Sequence, residues 1–200
     1  MYHVVRNVAS AGAIVALLAC ADAPAPTSAS LSSSTLDTRA AASVHASLVL
    51  YDECDAETFN RNVGPGTCKR TGPGVPFNNF IATLTRLQRF PAWRITPNDL
   101  NLHVGDQFSA KNTGGEEHTF TEVAKFGGGI NATLNQLSGN TVVAPECTNL
   151  APEDFLKPGA TSDVDDADTV GDELYQCCIH PWMRTVIHFH GSTSSGGDSR

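Results

Sequence analysis

Tyr175-Gln176-Cys177-Cys178-Ile179-His180-Pro181-Trp182-Met183-Arg184 brings a thiol, an imidazole and a thioether into ten consecutive positions. Those three donor types suit a soft, redox-active metal, and copper above all. A strand that delivers Cys177, a tight loop that delivers His180 and Met183, and a distant second His would complete a trigonal His₂Cys site with a weak axial Met. The candidate for that second His is His118, in Gly114-Gly115-Glu116-Glu117-His118-Thr119-Phe120.

The pattern Cys177-x-x-His180-Pro181-x-Met183, downstream of a strand start at His118-Thr119-Phe120, resembles the copper loop of the cupredoxins. Its two-residue gaps on both sides of His180 are most similar to amicyanin, whereas plastocyanin and pseudoazurin carry a longer gap before the Met. The likeness covers residues 93–187, with a longer segment between His118 and Cys177 than those small proteins have. It implies an all-β fold: a cupredoxin-like Greek-key β-sandwich, here with a short helical insertion. It also implies one mononuclear copper ion cycling between Cu(I) and Cu(II). His118, Cys177 and His180 would bind it equatorially and Met183 would cap the axis. Such a site is a compromise between the geometries that the two oxidation states favour, so an electron arrives with little atomic movement. No position is left open for a substrate, and the expectation is an electron carrier rather than an enzyme.

Other metal chemistry fits the pattern less well. Structural zinc sites space paired Cys by two to four residues, so that both thiolates reach one ion. Adjacent Cys177 and Cys178 on a strand point to opposite faces. The same geometry argues against a binuclear copper centre bridged by two Cys. A multicopper oxidase would need further domains and paired His-x-His motifs, but His188-Phe189-His190 stands alone at a strand end and reads as surface. His103 falls on the outward face of its strand and is left out of the site.

From the start of the chain, an apolar run over 8–19 follows Arg6 and ends Leu17-Leu18-Ala19-Cys20. A run this short is the core of a signal peptide, not a membrane span. Its ending resembles a bacterial lipobox, which makes Cys20 the lipidated first residue of a mature chain; an ordinary secretory signal cut nearby is the alternative. Either way the expected location is the cell envelope, periplasmic or on the outer face, with membrane contact only through the lipid. Residues 20–43 are Ala, Ser, Thr and Pro with little to bury, a flexible tether. The domain itself is expected over 44–190, and the Gly/Ser-rich 191–200 reads as a disordered tail.

Six cysteines constrain the rest. With Cys20 lipidated and Cys177 on the metal, Cys54, Cys68, Cys147 and Cys178 remain, an even number that implies two disulfides in an exported protein. Three pairings are open. Cys54–Cys68, which closes a local loop, is favoured, and Cys147–Cys178 would then pin the long middle segment to the metal-bearing strand.

Within the domain, residues 44–51 alternate loosely as a first strand, and Cys54, a polar loop and Cys68 follow. Phe77, Phe80, Ile81, Leu84 and Leu87 have helical spacing and predict an amphipathic helix over 77–89. The whole of 51–90 reads as a decoration on the sandwich. A strand at 93–96 turns at Pro97-Asn98-Asp99. Leu100, Leu102 and Val104, then Phe108 and Ala110 across Gly105-Asp106, predict a β-hairpin. Residues 131–154 form a surface excursion with one short helix, and Asn131-Ala132-Thr133 matches a glycosylation sequon incidentally. A strand entry follows at 156–161. Asp163, Asp165, Asp166 and Asp168 read as a solvated acidic tip, because a calcium loop needs a Gly at position six and a closing Glu in register.

The formal charge is −8, and removing residues 1–19 takes away one Arg and no acid, giving −9. Such a chain does not seek nucleic acid or anionic membranes. Its field favours a cationic redox partner, such as a c-type cytochrome. A copper capture or delivery protein without a redox circuit is the alternative function, and a metal-free structural module is the third.

Overall fold

The computed structural model describes residues 43–192. The signal segment, Cys20, nearly all of the tether and the tail beyond 192 lie outside the described residues. Among these residues no helix is long and apolar enough to cross a membrane.

The elements run β1 (His45–Tyr51), α1 (Ala56–Asn62), α2 (Phe77–Leu87), β2 (Arg94–Thr96), β3 (Asp99–His103), β4 (Gln107–Asn112), β5 (His118–Thr119), β6 (Thr121–Glu122), α3 (Ala132–Leu137), β7 (Phe155–Leu156), β8 (Asp165–Asp166), β9 (Gly171–Gln176) and β10 (Arg184–His190). They build two four-stranded sheets, ordered β2-β1-β4-β8 and β3-β10-β9-β6, with a small β5-β7 ladder at one end. Strands β1 and β4 are parallel, as are β10 and β3. Leu48, Leu50, Ile95, Phe108 and Ala110 face inward from the first sheet, and Leu102, Tyr175, Ile187 and Phe189 from the second. Alternation puts these side chains on one face of each sheet, and burying both faces together makes the sandwich.

The expected hairpin at 100–110 is not one. Strand β3 pairs with β10 and β4 pairs with β1, so the chain changes sheets at the corner. Gly105 turns with φ +97°, and Asp106 fastens the corner by accepting from the backbone N–H of His103 and of Val44, both at 2.8 Å. Leu102 and Phe108 both point inward, as the alternation predicts. Inward-facing residues look alike whether two strands pair or face each other, so periodicity does not separate the cases.

Segment 51–90 contributes to the same core. Helix α2 buries Phe80 and Leu84 and stops at Leu87, two residues short of the predicted end, because Gln88 turns left-handed at φ +56°. Helix α1 lies in what reads as a polar loop: Asp55 caps it through the Thr58 N–H, and Phe59 alone is buried, too few apolar residues to show a period. Phe59, Phe80, Phe90 and Trp93 stack with centroid separations of 4.7–5.8 Å. In the middle excursion Asn131 caps α3. Of the acidic tip, Asp165 and Asp166 form the edge strand beside Gln107 and Phe108.

Two disulfides join Cys54 to Cys68 and Cys147 to Cys178, with Cα separations of 6.1 and 5.4 Å. Cys177 is free and buried.

Candidate metal centre

The end of the sandwich where β5, β9 and β10 meet gathers three donors from two distant parts of the chain. His118 opens β5, which pairs with β7 through His118↔Leu156. Cys177 follows the last residue of β9. His180 sits in the loop to β10, which is closed by two backbone bonds: the Met183 N–H donates to the His180 carbonyl at 2.9 Å, and the Cys177 N–H donates to the Met183 carbonyl at 3.0 Å.

The donor atoms of His118, Cys177 and His180 all lie within 4.8 Å of one another. Cys177 Sγ is 3.7 Å from His118 Nδ1 and 3.8 Å from His180 Nδ1. Two donors each about 2.0–2.3 Å from a shared ion stand about 3.5–3.8 Å apart at trigonal or tetrahedral angles, so the spacing fits a metal ion. His118 and Cys177 are fully buried and His180 is 3 % exposed. Met183, also fully buried, packs in the same core.

Burial is costly for a thiolate, but two imidazoles and two amides offset it here. The N–H groups of Thr119 and His180 both point at Cys177 Sγ, at 3.4 Å. In the metal-free protein burial pushes the thiol up, yet hydrogen bonds and charge from His118 and His180 hold it well below the ordinary value. Burial likewise works against charge on His118, but Asp52 and Cys177 raise its pKa to about 9. The two imidazoles thus favour the thiolate, the form that binds metal.

Behind the donors are two carboxylates that sequence reading passed over. Asp52 Oδ2 lies 3.0 Å from His118 Nε2 and also accepts from the Glu116 N–H, while its Oδ1 accepts from the Cys54 N–H. Burial pushes the Asp52 carboxyl up, but these bonds outweigh it and hold it below the usual range. Glu116 Oε2 accepts from Trp93 Nε1 at 2.6 Å and stands 3.5 Å from His180 Nε2; its burial dominates and raises its pKa. Each imidazole therefore has Nδ1 toward the thiol and Nε2 toward a carboxylate, an arrangement that fixes the ring and makes it a better donor. Glu116 was visible two residues before His118. Asp52 lay within the supposed decoration, where no local signal marks it. Asn112 frames the intervening loop, donating to the Glu116 and Leu156 carbonyls and accepting from the Gly114 N–H.

Cys178 is bonded to Cys147 in a small buried cluster separate from the core that holds Cys177. His103, His188 and His190 lie on the outer face of the β3-β10 pair, away from the three donors. His188 is held between Asp99 and Asp172.

The fold is a β-sandwich of two four-stranded sheets. No family model and no curated protein matches the chain. Among solved structures it is similar in outline to a purple cupredoxin from Nitrosopumilus maritimus, at 14 % identity and TM-score 0.38, over 72 % of this chain and 99 % of that one. A reduced amicyanin mutant matches at 19 % identity and TM-score 0.31, over 46 % of this chain and 70 % of that one. An oxidized amicyanin mutant matches at 16 % and 0.32, over 48 % and 73 %. The site is thus described by its own geometry: a buried group of His118 from β5 with Cys177 and His180 from the loop between β9 and β10.

Proposed function

We propose that this chain is an exported copper-binding cupredoxin that carries single electrons, its domain spanning 44–190. The observation that carries the reading is the convergence of His118, Cys177 and His180 in a buried pocket. One soft thiolate with two imidazoles is the donor set that suits copper, and Met183 is proposed as the weak axial ligand. Copper, when bound, supplies a one-electron couple. The chain's residues orient the imidazoles through Asp52 and Glu116, hold the thiolate with two amides, and keep water out. Burial of every proposed ligand leaves little room for a substrate at the ion, which supports a carrier over an enzyme.

Two disulfides fit an oxidising compartment. With the Leu17-Leu18-Ala19-Cys20 run they support export and a lipid anchor at Cys20. Mass spectrometry of the native N-terminus tests the anchor, and an unmodified terminus beyond Cys20 would refute it.

A visible absorption spectrum with Cu(II) tests the site. The expected result is intense thiolate-to-copper charge-transfer colour that vanishes on reduction. Binding of Cu(II) with only weak ligand-field bands would overturn the proposed ligand set.

A further inference from the structure

Acid outnumbers base in this chain, 21 to 13, but the excess is unevenly spread. Beside the metal loop a cleft of about 350 Å³ has Arg89, Arg94, Arg184 and Trp182 in its wall, and no Asp or Glu lines it. Arg89 and Arg94 are exposed and Arg184 partly so. Among the described residues none of the three forms an ion pair. Arg94 lies over the Tyr51 ring, 4.6 Å from its centre. Arg184 donates to the Pro181 and Gly127 carbonyls and to Asn140 Oδ1. Neutral partners hold both side chains in place without cancelling their charge.

Trp182 links this face to the donors. Its ring centroid is 5.5 Å from that of His180, and the residue is partly exposed. His180 itself is only 3 % exposed, with Glu116 against its Nε2. Trp182 is therefore an aromatic that touches a donor imidazole and also reaches solvent.

We propose that the Arg89–Arg94–Arg184 face over Trp182 docks the acidic surface of a one-electron redox protein. The proposal rests on the copper reading above. One electron then moves between the two centres through Trp182 and His180, oxidising one centre and reducing the other, with no bond made or broken. Net charge and local charge pull in opposite directions here, and distance decides between them. Screening acts over about 8 Å at physiological salt, so the arginines at the contact outweigh carboxylates on the far side of the molecule.

Two arms test this, and the first needs no copper. The full chain, metal-free and labelled with nitrogen-15, is titrated with hexacyanochromate(III), a redox-inert paramagnetic trianion, and separately with an acidic [2Fe–2S] ferredoxin. Both should perturb the Trp182 indole N–H and amides 89–98, and both effects should weaken in Arg89→Gln/Arg94→Gln, two exposed changes. Perturbation centred elsewhere, or unchanged in the double variant, overturns the proposal. Response to the trianion without response to the ferredoxin makes this a small-anion site only, and also overturns it.

In the second arm the copper-loaded protein is mixed with that ferredoxin at low salt. The double variant should exchange electrons about tenfold more slowly, and an unchanged rate removes the electron route. A protein that fails to develop the charge-transfer colour refutes the copper reading, while the first arm still reports on the docking face.

Discussion

Asp52 Oδ2 and His118 Nε2 meet at 3.0 Å with both side chains fully buried, joining the end of the first strand to a donor 66 residues further on. A buried carboxylate behind the imidazole proposed to bind copper would add negative charge to the site and stabilise the more positive oxidation state of the ion. Asp52→Asn should therefore keep the charge-transfer colour while raising the midpoint potential. The expected rise is on the order of 50 mV, near one tenfold change in a one-electron equilibrium. Potentiometry with optical readout measures it, and a fall in potential would contradict the assigned role.

Gly114 tests the same contact from the other side. A Cβ there would overlap the Asp52 carboxylate and press on its backbone nitrogen. Gly114→Ala should displace Asp52, raise the potential as Asp52→Asn does, and cost roughly 1–3 kcal/mol as an overpacking change. Denaturant unfolding and potentiometry together check this. A variant with the parent's stability and potential would mean that the loop absorbs the methyl.

The neighbouring cysteines should separate on mutation. Cys177→Ser should abolish the charge-transfer colour and leave the fold intact. Cys178→Ser should keep the colour, lose roughly 2–5 kcal/mol with its disulfide, and open Cys147 to alkylation. The inverse pattern would reverse their roles.

On the outer face His188 lies 2.7 Å from Asp172 and 3.3 Å from Asp99, and hydrogen bonds to these carboxylates raise its pKa. A raised folded-state pKa stabilises the protein fully below the unfolded value, about 6.5, and the benefit is lost as pH rises through the folded value. Asp172→Asn should thus lower the unfolding midpoint at pH 5–6 and leave it unchanged at pH 9. An equal loss at both pH values would point to packing instead of charge.

Much of the fold could be read from residues. Alternation in β1, β3 and β4 named inward side chains such as Leu48, Leu102 and Phe108, and the spacing of Phe80 and Leu84 named the helix. Sheet membership could not be read, because Leu102 and Phe108 carry the same signal whether their strands pair or oppose. The His-Cys-His group was legible because Cys177 and His180 are close in sequence and chemically distinct. Asp52 was not. A carboxylate in a polar stretch is common, and only the folded chain reveals that its neighbour is His118 and not water.

Cys178 is bonded to Cys147 while Cys177 next to it stays free, and this sets an order for biogenesis. During oxidative folding the two adjacent thiols compete for one partner. A Cys147–Cys177 bridge would consume the sulfur proposed to bind metal and strand its neighbour, at unchanged mass. Correct pairing would therefore decide how much of the chain keeps a free Cys177.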